Sequence, residues 1–95
     1  MREDWLRIIG DRHSLRLLVA LHDGPPRTLY SLSRETGTYP RTTRSRLKLL
    51  ADNKLVLEER LGGIQTYRVD PSAIPDEVRV LLSWLRARVG EKRSL

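Results

Sequence analysis

Gly37 and Pro40 stand three positions apart, and that spacing constrains the fold more than any other feature of the chain. A helix that starts near Thr28 must stop at Gly37, because a glycine enters the left-handed conformation without a Cβ penalty and so closes a helix. Pro40 allows a new helix to begin only at its first position, where the missing N–H is no loss and φ is already set. The interval Thr28–Val56, TLYSLSRETGTYPRTTRSRLKLLADNKLV, therefore reads as two helices joined only by Gly37 to Tyr39. At 100° per residue the second helix places Thr43, Leu47 and Leu50 on one face and Arg41, Ser45 and Lys48 roughly opposite, with Arg44 on the flank. One face is built to pack and the other to meet something outside the chain.

Charge says what that something is. The net charge is +6 over 95 residues, and it is concentrated. Residues 28–54 hold six basic side chains against two acidic ones, and no acid falls between Thr36 and Leu50. Residues 55–70, by contrast, are slightly negative. A basic surface on a helix that follows a three-residue turn is the layout of a helix-turn-helix reader of duplex DNA. Arg41, Arg44 and Lys48 are the expected contacts, since a guanidinium fork grips guanine O6 and N7 or bridges phosphates. Thr42 and Ser45 serve bases or phosphates equally. Arg46 points towards the packed flank, where it either meets a phosphate or closes an internal salt bridge.

The rest of the chain supports this pair of helices. Residues 3–9 form two turns capped by Asp4 and ended by Gly10, carrying Trp5, Leu6, Ile8 and Ile9. A helix over about 12–22 is apolar nearly all round, with leucines at 15, 17, 18 and 21, which suits a central buried position. Asp23-Gly24-Pro25-Pro26 ends it. Leu55–Arg60 and Gln65–Asp70 form an antiparallel hairpin around Gly62-Gly63, with Leu55, Leu57, Tyr67 and Val69 alternating inward. A last helix over about 75–89 has Asp76 and Glu77 favourably in its first turn, and the tail from Gly90 is expected to fray. This helix bears two apolar stripes. Val78, Leu81, Leu82, Leu85 and Val89 make one, and Val80, Trp84 and Ala87 lie across from it. One stripe serves the domain's own core. The other, with Trp5, Leu6 and Ile9, exceeds what a core of this size covers, so Trp5, Leu6, Ile9, Val80, Leu81, Trp84 and Leu85 are expected at a homodimer interface. The tyrosines and tryptophans are expected in the core or that interface, and His13 and His22 at the surface or as caps.

Between Leu15 and Val69 the chain resembles the winged helix-turn-helix regulators of the ArsR and MarR type, with Leu32, Gly37, Pro40, Thr42, Leu47, Leu50, Leu55 and Val56 in the places of their pattern. The resemblance implies a mainly α single domain over residues 1–95, with a helix-turn-helix at about 28–53, a hairpin wing at about 55–70 and dimerising terminal helices. It also implies that Arg60, Gln65 and Arg68 of the wing reach a minor groove or phosphate. Two positions depart from the pattern. Lys54 stands where glycine is usual, so either Asn53 takes the left-handed cap or the turn is strained. Tyr39 replaces the short capping side chain, which leaves the second helix without its ordinary cap.

The absence of cysteine excludes disulfides, thiolate metal sites and cysteine nucleophiles. No run of apolar residues suffices for a membrane span, and the N-terminus is too short and too charged for a signal peptide, so a soluble cytoplasmic protein is expected. No histidine spacing suggests a metal, no glycine loop cradles a phosphate, and neither Glu58-Glu59 nor Asp76-Glu77 offers an ordered catalytic pair. The expectation is a non-enzyme without cofactor: a dimeric, sequence-specific regulator that binds double-stranded DNA with its second helix in the major groove. The rival is a winged helix docking module of a larger assembly, which would carry an apolar or acidic patch where this chain has arginines.

Overall fold

Apolar stretches separated by turns fold into four helices, a hairpin and a fifth helix among the described residues. The computed structural model describes residues 3–94. The helices are α1 (Glu3–Gly10), α2 (Arg12–Leu21), α3 (Leu29–Thr36), α4 (Pro40–Asp52) and α5 (Asp76–Ser94). Strands β1 (Val56–Leu61) and β2 (Ile64–Val69) lie between α4 and a short 3-10 turn at Pro71–Ala73. The radius of gyration, 12.8 Å, is close to the roughly 12 Å of a single domain of this length. No described helix is long and apolar enough to cross a membrane.

The core is organised on α2. Leu17, Leu18 and Leu21 are buried, and α2 packs against α1, α3, α4, α5 and β2. Trp5 and Ile8 of α1 join this core. Trp5 thus corrects the expectation that it serves a dimer interface, because the surface it would offer a partner is already spent on its own chain. The side chain of Leu6 lies outside the described residues.

Hydrogen bonds at the helix ends show why the breaks fall where they do. The Thr28 hydroxyl caps α3 by accepting from the Ser31 N–H at 3.2 Å. At its other end Gly37 is left-handed (φ 67°). Gly37 N–H donates to Arg34 O and Thr38 N–H to Ser33 O, the paired bonds of a Schellman motif. The end of α4 repeats this arrangement without a glycine. Lys54 N–H donates to Ala51 O at 2.9 Å and Leu55 N–H to Leu50 O at 3.0 Å, with both leucines buried. Lys54 itself is left-handed (φ 62°), while Asn53 keeps a negative φ of −89°. Of the two alternatives open in the sequence, the strained turn is the one realised. Tyr39, as expected, makes no side-chain cap for α4.

The hairpin turns at Gly62 and Gly63, both at positive φ (59° and 82°), as a two-residue type I′ turn requires. Its register pairs Val56 with Val69 and Glu58 with Tyr67. Opposed residues share a face, so Val56, not Leu57, joins Tyr67 and Val69 on theirs. The expected alternation is out of step only at Leu57 of β1, whereas Leu55 and Tyr67 are buried and Val69 packs against the core. Arg27 adds a third, one-residue strand through reciprocal bonds with Tyr67 at 2.9 and 2.8 Å. In α5 the helix runs through Gly90 to Ser94 instead of ending at 89. Together these elements are a winged helix-turn-helix.

Polar ties hold both ends of α2. At the N-terminus Asp11 accepts from Ser14 N–H at 3.2 Å and Ser14 Oγ at 2.5 Å, and Arg46 of α4 lies 3.3 Å away. Burial works against the Asp11 charge, but Ser14, Arg46 and His13 outweigh it and hold the carboxyl below its ordinary value. At the C-terminus His22 caps α2 through its backbone. It is buried, not at the surface, with Nε2 2.8 Å from Ser83 Oγ and its carbonyl accepting from Arg86.

Two stability predictions follow from these local geometries. Lys54→Gly relieves the left-handed strain and is expected to stabilise the fold by about 1 kcal/mol, read as a higher urea midpoint at unchanged m; a midpoint at or below wild type would show no strain there. Asp11 titrates lower in the folded chain than its unfolded value near 3.8. Its contribution is therefore complete above the unfolded value and is lost as pH falls through the folded one. Asp11→Ala is expected to lower stability at neutral pH by about 1 kcal/mol and to flatten the acid limb of a stability–pH curve. Parallel acid limbs for variant and wild type would contradict this.

Candidate nucleic-acid interface

Helix α4 divides cleanly by face. Thr43, Leu47 and Leu50 are buried, pinning the helix to α2, α3 and β1. Arg41, Arg44, Ser45 and Lys48 are all exposed and stand at i, i+3, i+4 and i+7, one stripe along the outer surface. Arg44, placed on the flank by the wheel, belongs to this stripe. Thr42 is half-buried beside it. Arg41, Arg44 and Lys48 have no ion-pair partner among the described residues, so their field is not cancelled locally.

Arg46 differs from its neighbours. It is half-buried and pairs with Asp11, the internal salt bridge of the two alternatives left open by the sequence. The 3.3 Å approach is an ion pair without hydrogen-bond alignment, as Arg46 Nε has no hydrogen-bond partner. Its part is to hold α4 against the start of α2.

The wing is largely engaged with itself. Arg68 Nε donates to Glu59 Oε1 at 2.7 Å, and Gln65 Nε2 lies 3.4 Å from both Glu58 Oε2 and Tyr67 Oη. Arg60 is exposed and donates to Gly63 O at 3.1 Å, which holds its cation at the turn. Of the three wing residues singled out in the sequence, Arg60 presents its charge outward most freely. Burial raises the Tyr67 pKa, Glu58 adds to the rise, and Arg44 opposes it. Tyr67 is thus within reach of the field of Arg44 on α4 as well as that of Glu58 across the hairpin.

Several surface residues were not legible from pattern. Tyr30 and Tyr39 are exposed, Tyr39 by 83%, although tyrosines were expected in the core or an interface. Tyr30 projects from α3 away from its buried neighbours Leu29 and Leu32, and Tyr39 occupies the turn before α4. Leu61 and Ile64 are exposed at the tip of the wing, a placement signalled only by their position next to the two glycines. On α5, Val78 and Leu82 are buried, Leu81 and Leu85 half-buried, and Val80 and Trp84 exposed by 70% and 54%. Arg88 lies 4.9 Å over the Trp84 ring. Ile9 is half-buried against the core. Among the described residues no three His, Cys, Asp or Glu side chains converge in a way that could hold a metal.

No protein-family model matches the chain and no curated protein is similar to it in sequence. Solved structures share its fold. It is similar to a predicted DNA-binding transcriptional regulator from E. coli, with a TM-score of 0.73 at 20% identity over 88% of this chain and 84% of that one. A possible HxlR family transcriptional factor from Thermoplasma volcanium gives 0.71 at 20% identity, over 100% and 88%. The homodimeric winged helix-turn-helix DNA-binding domain from Mycobacterium bovis, a possible ArsR-family transcriptional regulator, gives 0.62 at 25% identity, over 94% and 82%. The resemblance to winged helix regulators of the ArsR-like type, read first from residues 15–69, thus extends to the three-dimensional structure.

Proposed function

We propose that this chain is a transcriptional regulator that binds double-stranded DNA sequence-specifically as a homodimer, with α4 in the major groove. The observation that carries the reading is the exposed stripe of Arg41, Arg44, Ser45 and Lys48, whose cations have no ion-pair partner among the described residues, on a helix whose other face is buried. Such a stripe brings guanidinium forks to base edges while the ammonium group and hydroxyls hold phosphates. Thr42 borders the same surface. Arg60 lies on the wing as a phosphate contact, and Gln65 and Arg68 reach DNA only by exchanging their internal partners. Arg46 acts from behind, by fixing the helix.

The dimer reading rests on α5. Val80 and Trp84 face away from the chain's core, and Leu81 and Leu85 border them half-buried, while Ile9 of α1 is half-buried as well. A second copy of the same face covers this surface with a two-fold axis, and the similar Mycobacterium bovis domain is itself homodimeric. Two-fold symmetry sets the recognition helices about 34 Å apart, one DNA turn, so that they meet successive major grooves.

Selection of bound sequences from a random duplex pool is expected to enrich a palindromic motif. Binding to it should weaken with salt with a log–log slope on the order of −5 to −7, and Arg41→Ala or Arg44→Ala should each lose about 1–3 kcal/mol with relaxed preference at one position. Folded arginine variants that bind like wild type, or a pool that never enriches, would sink the reading. Sedimentation equilibrium at micromolar concentration is expected to give a dimer mass that Trp84→Glu converts to monomer. A wild-type monomer there refutes the α5 interface.

A further inference from the structure

Charge does not account for the tip of the wing. Leu61 and Ile64, exposed by 51% and 60%, are directly opposed in the ladder, so their side chains rise from the same face about 5 Å apart. Between them, no atom lies within 4 Å of a Cβ built on Gly62 or Gly63. These glycines serve the positive φ of the turn and not packing, and they leave the end of the wing as bare backbone. The result is a slim hairpin end bearing two apolar side chains, with the Arg60 guanidinium held on Gly63 O beside them.

We propose that Leu61 and Ile64 form an apolar wedge that enters the minor groove next to the major-groove site of α4 and partly unstacks a base step there. The proposal rests on the duplex-binding reading above and adds to it a mode of recognition. Continuity with the α4 surface supports DNA as the occupant. Strand β1 packs against α4, and Tyr67, paired with Glu58 of β1, lies three residues from Ile64 on β2. At about 3.3 Å per residue the tip projects about 10 Å beyond Tyr67, a length on the scale of the DNA grooves. Arg60 adds a cation beside the tip, while Arg68 is paired with Glu59 and lessens its repulsion of phosphate.

A turn of two glycines suits a groove about 6 Å wide, and apolar side chains inserted between base pairs, as Leu61 and Ile64 would be, unstack and kink them. Pyrimidine–purine steps yield most easily. The wedge therefore selects a flexible step outside the bases that α4 touches. A basic tip would bind the same groove without unstacking it.

The test uses the full chain on the duplex obtained by selection, with 2-aminopurine placed at successive flanking steps. Wild type is expected to raise the fluorescence several-fold at one step. The L61S/I64S variant should lose that rise and bind about tenfold more weakly at an unchanged salt slope, since no charge is removed. The L61M/I64M variant should keep the rise, and R60A should make the slope shallower by about one. No rise with wild type at any flanking step overturns the wedge, even if the serine variant fails to fold. So does a serine variant that matches wild type in fluorescence and affinity. Failure of the duplex-binding reading is distinct, because wild type then binds no duplex before any wing variant is compared.

Discussion

Everything in this molecule is referred to the burial of α2. A ten-residue helix surrounded by four other helices and a strand leaves little freedom for any of them, because a packed interior transmits a displacement at one contact to the others. Its polar ends sharpen the constraint. Asp11 ties the start of α2 to Ser14 and to Arg46 of α4, and His22 ties its end to Ser83 and Arg86 of α5. The helix proposed to read DNA and the helix proposed to dimerise are thus fastened to opposite ends of one buried rod. The separation of the two recognition helices in a dimer is then a property of packing, not of flexible connections.

The exposed stripe on α4 is possible because folding makes no demand on it. Thr43, Leu47 and Leu50 supply the burial on one side, and the two Schellman ends at Gly37 and Lys54 set where the preceding and following segments leave the helix line. Arg27 secures α3 in turn. Its backbone pairs with Tyr67, while its guanidinium reaches Ser31 Oγ at 2.6 Å and Glu35 at 2.5 Å. The turn between α3 and α4 is thereby anchored through the sheet, and the stripe is presented on a surface that three elements hold in place.

Local rules made most of this legible. Gly37, Pro40 and the Asp23–Pro26 break state their consequences within a few residues, so the helices and the turn were found where expected, and the two stripes of α5 fell on opposite sides of the helix. Reasoning failed where the deciding contact was distant in sequence. The Arg27–Tyr67 bridge joins positions with no shared local pattern. The hairpin faces depend on the register imposed by the glycine turn, which moved Val56 inward and Leu57 off that face. Trp5 was assigned to a partner because counting apolar residues does not reveal how much of α2 is left for α1 to cover. Lys54 was legible only as a conflict between residue and position, and structure resolved it in favour of the position: the bonds of Lys54 and Leu55 and the burial of Leu50 and Leu55 outweigh the penalty of a side chain in the left-handed region.

The same distinction applies to charge. Composition counts 18 basic residues alike, yet the fold assigns them unequal roles. Arg27, Arg46 and Arg68 are paired with carboxylates, Arg79 with Asp76, and Arg86 is bound to a carbonyl. A paired guanidinium contributes little to the field felt at a distance, since its partner nearly cancels it. Arg41, Arg44 and Lys48 retain theirs, and they do so on a single helical face. Three cations without an ion-pair partner among the described residues are thereby gathered on the outer face of one helix. That gathering of charge on the exposed face of α4 favours the proposed DNA-reading face over a docking surface, which would require an apolar or acidic patch in place of the arginines.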